Sequence, residues 1–380
     1  MKKFLAMVMA VAMMLSMFAV CASAEEPVTI TIGLMGPLTG PYAVYGNGAA
    51  YGAQIAVDEL NAAGGKYQFV LYYEDDQGDP ELALNAYNTM MDKGMQVVIG
   101  AVTSGACMAV AETACEERIF VLTPSASADL VPESGDQTFQ ICFTDSNQGV
   151  ASAQWIAENR PDATVGVIYN NAQDYSIGIY QAFKAAAAEK GVNLVAESAF
   201  SDDTAADFSV QVAAMKDAGV DMVFLPIYYT PAIGIMTQAK SAEYAPEFFG
   251  VDGMDGVLAV PGLDTDLVQG VKMLTAFDAT STAPGVPEFV AAFSAKFDPA
   301  ALNQFSADGY DAVYVLNAAL EAAGVTADDS AEDICEKLVA VMTEINYSGL
   351  TGEMTWAADG TVSKSPIAVE IEGTAYVSAK

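Results

Sequence analysis

Short apolar runs that favour β-strands alternate with longer alanine-rich runs that favour helices, from residue 29 to about residue 275. Strands are expected at 28–34, 69–73, 97–99, 119–122, 164–169, 193–196, 222–225 and 248–249. Helices are expected at 48–62, 80–92, 105–116, 148–158, 176–190, 208–218 and 232–241. Strands separated by helices form parallel sheets built from right-handed βαβ units. Two such series in one chain predict an α/β protein with two doubly wound parallel-sheet lobes.

The end of the chain breaks this alternation. Helices are expected at 287–296, 304–322 and 331–343, with no strand between the last two. A hairpin is expected where 353–356 and 365–371 flank the turn at 358–360, followed by a final strand at 375–378. A chain that leaves one lobe, builds the other and then returns would explain the late helices.

The N-terminus has the layout of a secretory signal peptide. Lys2 and Lys3 precede an uncharged apolar run at 4–20, and small residues at 22–24 suit cleavage after Ala24. Cys21 offers a lipid anchor as the alternative, although such a signal would have a small residue in place of Val20. Both alternatives place the protein outside the cytoplasm, in the periplasm or on the outer face of the cytoplasmic membrane.

The composition indicates large buried cores and excludes one class of partner. Hydrophobic residues make up 53% of the 380 residues and charged residues only 17%, which is enough apolar material for two packed lobes. The formal net charge is −34 at pH 7. Such a field repels phosphate backbones, so nucleic acid is not expected as a partner.

Several kinds of reactive site lack their usual residues. The chain has no histidine, the commonest general base and a common ligand of zinc. Cys107 and Cys115 lie in one predicted helix, about 12 Å apart along its axis, which is too far for a disulfide. Cys142 and Cys335 have no evident partner, and no glycine pattern matches a nucleotide-binding loop. We expect no metal, no cofactor and no enzymatic activity, although hydrolysis by a carboxylate pair stays formally open.

Polar and aromatic side chains follow the predicted strands at their carboxyl ends, where open α/β sheets bind ligands. These loops contain Val102, Ser104, Ser125, Ser127, Tyr175, Tyr228 and Asp252. Hydroxyls and helix N-termini suit an anion, and a carboxylate suits a cation. Taken singly, each residue has an ordinary structural explanation as a helix cap, a packed tyrosine or a turn aspartate. Their convergence predicts a site for a zwitterion with an apolar or aromatic side group.

Five segments, in the order in which they occur along the chain, resemble the branched-chain amino-acid (Leu/Ile/Val) binding proteins of ABC transporters. The segments are IGLMGPLTGPYAVYGNGAAYGAQIAVDELNAAGG at 32–65, then YEDDQGDPELA, VVIGAVTSGA, FVLTPSAS and FSADGYDAVYVL. The resemblance extends from residue 29 to about residue 356. It implies a type I periplasmic-binding fold, in which two lobes joined by three crossovers hold a ligand in the cleft between them.

The resemblance also implies a division of the chain. The crossovers are expected near Thr144, Phe277 and Leu350. A signal peptide would then occupy 1–24, an N-terminal lobe 25–143 and 278–350, and a C-terminal lobe 144–277 and 351–380.

Residue roles follow from the same resemblance, position by position. Ser104, Ser125 and Ser127 are expected to hold the carboxylate of an amino acid and to share its ammonium, with which Asp252 would pair. Tyr45, Tyr175 and Tyr228 are expected to close over the ligand, and Val102 and Phe305 to line its side chain.

Two departures from the family pattern affect the ligand. Members that bind aliphatic amino acids typically carry glutamate at the position of Asp252, and many have a disulfide at the positions of Gly78 and Thr103. An amide, urea or a small organic acid therefore remains an alternative ligand. The expected partners are an amino acid and an ABC permease with its ATPase, with the binding protein a monomer; an extracellular sensory module is the alternative role.

Overall fold

The computed structural model describes residues 26–379. The expected cleavage after Ala24 and the alternative lipid anchor at Cys21 lie outside the described residues. Within the described part, no helix is both long and apolar enough to cross a membrane.

The first sheet is parallel and has the strand order β2-β1-β3-β4-β5. Its strands are β1 (Val28–Gly36), β2 (Tyr67–Asp75), β3 (Val97–Ile99), β4 (Phe120–Thr123) and β5 (Thr138–Gln140). The helices between them are α1 (Ala43–Ala63), α2 (Pro80–Met91) and α3 (Ser104–Glu117). Every residue of β3 and β4 is buried, as expected for parallel strands covered on both faces.

The second sheet has the order β14-β13-β10-β9-β8-β6-β7, and only β13 and β14 are antiparallel to their neighbours. Its strands are β6 (Thr164–Asn170), β7 (Asn193–Phe200), β8 (Met222–Leu225), β9 (Glu247–Gly250), β10 (Lys272–Thr275), β13 (Ile367–Glu372) and β14 (Ala375–Ser378). Its helices are α4 (Asp145–Asn159), α5 (Asp174–Lys190), α6 (Ser209–Asp217) and α7 (Tyr229–Ser241). Together with the first sheet, this arrangement confirms the predicted α/β fold with two doubly wound lobes.

The late helices return to the first lobe. They are α8 (Val286–Lys296), α9 (Gln304–Ala323) and α10 (Ala331–Met342). Buried residues of α9 and α10, among them Leu316 and Leu338, share one apolar core with Ile32 of β1. The chain therefore leaves the first lobe, builds the second and comes back.

Helix α1 begins at Ala43, five residues before the predicted start. Glycines in this segment argue against a helix locally, because glycine loses the most backbone freedom on folding. The structure uses them for close packing: a Cβ on Gly52 would lie 1.7 Å from the carbonyl oxygen of Ser306 in α9. Tertiary packing between α1 and α9 therefore outweighs the local preference.

The predicted turn at 358–360 forms, with an antiparallel bridge between Trp356 and Val362, but the predicted pairing of 353–356 with 365–371 and the predicted third crossover are wrong. Strand β11 (Asn346–Gly349) pairs with β12 (Gly352–Thr355), whereas β13 pairs with β10 and β14. Trp356 is buried in the core of the first lobe, and its Nε1 donates a hydrogen bond to the carbonyl of Gln140 at 2.7 Å. Because these contacts bind 346–362 to the first lobe, the chain crosses to the second lobe at 363–366 and not near Leu350.

Candidate functional site

The predicted site residues converge on one small cavity between the two sheets. Its lining consists of Tyr45, Val102, Thr103, Ser104, Ser125, Tyr175, Tyr228, Asp252, Gly253 and Phe305, and we call it the inner cavity. Of the nine residues predicted from the sequence, only Ser127 is outside this lining. Strands β3, β6, β8 and β9 supply most of these residues from the loops at their carboxyl ends, as parallel sheets generally do.

Ser104 is the first residue of α3, and its side chain is almost completely buried. Its hydroxyl accepts a hydrogen bond from the amide of Ala128 at 3.2 Å. No side chain of the described residues caps the start of α3, where Thr103 is the N-cap. The positive end of the helix and its first amide groups therefore remain available to an anion.

Ser125 and Ser127 are held by short contacts on the neighbouring loop. The Ser125 hydroxyl donates to the carbonyl of Val102 at 2.8 Å. The Ser127 hydroxyl donates to Oδ1 of Asp145 at 2.7 Å. The Ser127 oxygen also accepts a long hydrogen bond from Nε2 of Gln148 at 3.4 Å, so one lone pair is left for a ligand that donates hydrogen bonds.

Asp252 is the acid on the opposite wall of the inner cavity. It is 2% exposed and accepts a hydrogen bond from the Tyr175 hydroxyl at 2.6 Å. Its backbone amide donates to the side-chain oxygen of Gln148 at 3.1 Å. Burial raises the pKa of Asp252 to about 6, although the hydrogen bond from Tyr175 opposes that shift. A cationic ligand group would restore the ionised form, because it would replace the lost solvation.

Asp145 is a second buried acid beside the site that the sequence analysis missed. It is the first residue of α4, and burial raises the pKa of its carboxyl well above the ordinary value. Its Oδ2 has no hydrogen-bond partner among residues 26–379. The sequence predicts that this helix starts at residue 148. That prediction leaves Asp145 in the connection between the lobes, where an aspartate is an ordinary loop residue and does not indicate a binding site. A helix start placed at Thr144, whose side chain caps α4, would have revealed it.

A cluster of aromatic rings closes the inner cavity across the two lobes. The Tyr45 hydroxyl, from α1, donates to the carbonyl of Gly253 at 2.5 Å and accepts from the amide of Tyr229 at 3.2 Å. The ring of Tyr45 lies 4.6 Å from that of Phe305, and the ring of Tyr228 lies 4.6 Å from that of Tyr175. Aromatic pairs at these spacings stabilise an interface beyond their buried area.

The inner cavity is tightly closed. The volume open to the centre of a water molecule is about 10 Å³, which is room for about one water. An amino acid is several times larger. The inner cavity in this closed form therefore has no room for an amino acid.

One departure from the family pattern is the missing disulfide at the positions of Gly78 and Thr103, and Thr103 lines the inner cavity. A Cβ on Gly78 would lie 3.6 Å from Cγ2 of Thr103, so these positions are in contact even though neither is cysteine.

The four cysteines of the described part are free. Burial raises the pKa of Cys107 to about 12, which leaves this thiol protonated and unreactive at neutral pH.

The two lobes, the connections between them and the polar, aromatic site in the cleft define a periplasmic solute-binding protein. The model of the family described as periplasmic binding protein matches residues 29–375. The chain therefore belongs to this family, whose members act outside the cytoplasm.

Curated relatives carry names that describe amino-acid binding. The chain is 33% identical over 307 residues to the Leu/Ile/Val-binding protein homolog 3 of Brucella melitensis, covering 80% of this chain and 81% of the relative. It is 31% identical over 321 residues to the leucine-, isoleucine-, valine-, threonine-, and alanine-binding protein of Pseudomonas aeruginosa, covering 82% and 83%.

Solved structures agree on the fold. The branched-chain amino acid transporter substrate binding protein LivJ of Streptococcus pneumoniae, in complex with isoleucine, superposes with a TM-score of 0.80 at 27% identity, covering 92% of this chain and 97% of that one. A solute binding protein of R. palustris in complex with 4-hydroxybenzoate gives a TM-score of 0.81 at 19% identity, covering 93% and 96%. The second similarity concerns the fold alone.

Proposed function

We propose that this protein captures an amino acid outside the cytoplasm and delivers it to an ABC permease in the membrane. The observation that carries the proposal is the pairing of a hydroxyl-lined helix N-terminus at Ser104 with a buried carboxylate at Asp252 across one cavity. These two groups are complementary to the two charges of a zwitterion.

The carboxylate of the ligand would bind at the start of α3. The Ser104 hydroxyl and the uncapped amides of the first turn are donors, and the positive end of the helix adds to the attraction. Ser125 lies on the adjacent loop and lines the same cavity.

The ammonium of the ligand would bind on the side of Asp252 and Ser127. Asp145 accepts the Ser127 proton, so the serine oxygen would accept a hydrogen bond from the ammonium. Two buried acids with raised pKa values lie here, Asp145 and Asp252, and a bound cation would lower both.

Val102, Phe305 and the tyrosine rings would surround the first carbons of the ligand side chain. Such a wall favours a branched-chain or other apolar stem, in line with the names of the relatives. Asp252 is one methylene shorter than the glutamate typical of the family, so it would reach the ammonium directly only if the ligand sits closer to β9.

Capture requires no chemistry. The open cleft would admit the ligand to one lobe, and closure would add the tyrosines and acid of the other while excluding water. Closure is favoured only by the difference in ligand affinity between the open and closed forms. The protein would act as a monomer and have no enzymatic activity.

Thermal unfolding with a panel of amino acids, amides and small organic acids tests the proposal. A ligand at about a thousand times its dissociation constant adds roughly 4 kcal/mol to stability, a readily measured rise in melting temperature. Stabilisation by amino acids supports the zwitterion site. Stabilisation by only amides or organic acids would contradict it, while leaving a solute-binding role.

A further inference from the structure

A second, larger cavity adjoins the inner one. Its free volume is about 260 Å³, and we call it the outer cavity. It is lined by Tyr42, Gly78, Pro80, Thr103, Gly105, Ala172, Gln173, Asp174, Tyr175, Asp202 and Tyr228. Thr103, Tyr175 and Tyr228 belong to both linings, so the two cavities share a wall at the residue that precedes Ser104.

Thr103 presents an unused hydrogen-bonding group at this wall. It is 6% exposed, and its Oγ1 has no hydrogen-bond partner among the described residues. A Cβ on Gly78 would lie 3.7 Å from this oxygen and 3.6 Å from Cγ2 of Thr103, so the end of the Thr103 side chain packs against Gly78 in the wall of the outer cavity. A buried hydroxyl normally has a partner, and one without it is a candidate contact for a ligand.

The absence of side chains at Gly78 leaves room beside that hydroxyl. Gly78 has a φ of +76°, a conformation that glycine adopts without strain. The ring of Tyr42 is the nearest group, with Cδ2 3.2 Å from the position of a Cβ. A larger residue here would narrow the passage between Thr103 and Tyr42.

The far wall of the outer cavity is acidic. Asp174 and Asp202 line it, and no lysine or arginine does. Asp202 accepts hydrogen bonds from the side-chain amides of Asn170 at 2.6 Å and Gln173 at 3.0 Å, which hold its carboxylate in place. Both carboxylates are on the exposed side, so their attraction for a cation would be modest and weakened by salt.

We propose that the outer cavity receives the end of the ligand side chain and selects an amino acid longer than leucine whose side chain ends in a hydrogen-bond donor. This inference rests on the proposed function, because it requires the amino-acid head group at Ser104 and Asp252. The donor would contact Thr103 Oγ1 at the base of the outer cavity and the carboxylates at its rim. Either an ammonium or a phenolic hydroxyl provides this chemistry.

Calorimetric titration with two matched pairs of ligands tests the inference. Norleucine and lysine share a straight stem and differ in the terminal ammonium; phenylalanine and tyrosine differ in the hydroxyl. We expect at least one donor to bind threefold or more tightly than its apolar partner, and the pair that responds identifies the donor. Equal or tighter binding of both apolar partners would overturn the inference while leaving the proposed function intact. Failure of all four, and of leucine, would overturn both.

Variants locate the selection. Thr103→Val removes the hydroxyl at constant shape, and Asp202→Asn removes one charge; each should reduce the preference for the donor about threefold and leave the apolar partner unchanged. Asp203→Asn, an exposed neighbour outside the lining, is the matched control and should retain the full preference. A preference that survives in both Thr103→Val and Asp202→Asn would show that the outer cavity does not select the ligand.

Discussion

The hydroxyl of Tyr45 in the first lobe donates a 2.5 Å hydrogen bond to the carbonyl of Gly253 in the second lobe. Both groups are buried, and the same hydroxyl accepts a hydrogen bond from the amide of Tyr229. One side chain of the first lobe therefore satisfies two backbone groups of the other. These bonds exist only when the lobes are together, so they contribute to the closed form and not to the open one.

Replacing Tyr45 with phenylalanine should weaken ligand binding. The Gly253 carbonyl and the Tyr229 amide would stay buried on closure without a partner, at a cost of about 1–3 kcal/mol. Titration calorimetry should then show a dissociation constant roughly 5 to 150 times higher. Tyr51→Phe, on the same helix but in the cluster around Phe293, is the control and should bind normally. Normal binding by Tyr45→Phe would mean that these bonds do not stabilise the liganded form.

Removing the carboxylate of Asp252 should weaken amino-acid binding strongly. Asp252→Ala would leave the ligand ammonium buried without its counter-ion, a change that typically costs on the order of 2–5 kcal/mol. Ligand titration of the variant measures the loss, and the exposed Asp266→Ala provides a control of equal charge change. An affinity equal to that of the unchanged protein would remove Asp252 from the site.

The sheets could be predicted because their signal is local. Buried parallel strands such as β3 and β8 are short apolar runs, and the structure places them at the predicted residues. The carboxyl ends of such strands also locate a site, which is why Ser104 and Asp252 could be assigned to one cleft from their loops alone.

The rest of the fold depends on contacts that no local pattern records. In β11 and β12, most residues are at least partly exposed, so neither strand shows the apolar alternation that would reveal the pairing. Trp356 reads as the end of a strand, yet it joins the first lobe through a bond to Gln140. Likewise, the Thr103 hydroxyl has no hydrogen-bond partner among the described residues because of the residues that pack against it. Those contacts cannot be predicted from the local sequence.

Stability and ligand affinity should change in opposite directions with pH. Burial raises the pKa values of Asp252 and Asp255 to about 6 and that of Asp76 to about 7. An acid whose folded pKa is raised contributes stability below its unfolded pKa, near 4, and loses it as the pH rises through the folded value. The free energy of unfolding without ligand should therefore be larger at pH 5 than at pH 8.

Binding should behave in the opposite way because the ammonium of the ligand needs an ionised Asp252. As the pH falls from 7 to 5, protonation of this carboxyl should lower the affinity by up to about tenfold per pH unit below its pKa. Calorimetry between pH 5 and 8 measures the slope, and Asp252→Asn should flatten it. A pH-independent affinity in the unchanged protein would place the ammonium away from Asp252.

A buried ion pair holds the third crossover against helix α9. Lys364, in the third crossover, forms a fully buried ion pair with Asp308 of α9 at 2.9 Å. Its ammonium also donates to the carbonyl of Ile141, where the first crossover begins, at 3.0 Å. Asp308→Ala would leave this ammonium buried without its counter-ion, and removal of one partner of such a pair typically costs about 3–5 kcal/mol. Urea denaturation should show that loss in the free energy of unfolding.

A double variant and an exposed pair separate the pairing from the packing. Asp308→Leu combined with Lys364→Met removes both charges while keeping apolar volume, so it should recover much of the stability lost in Asp308→Ala. Lys240 and Asp264 form a 3.1 Å pair at the surface, where both side chains are more than half exposed. Asp264→Ala should therefore cost only about 0–1 kcal/mol. If Asp308→Ala were no more costly than this control, the buried pair would not hold the crossovers together.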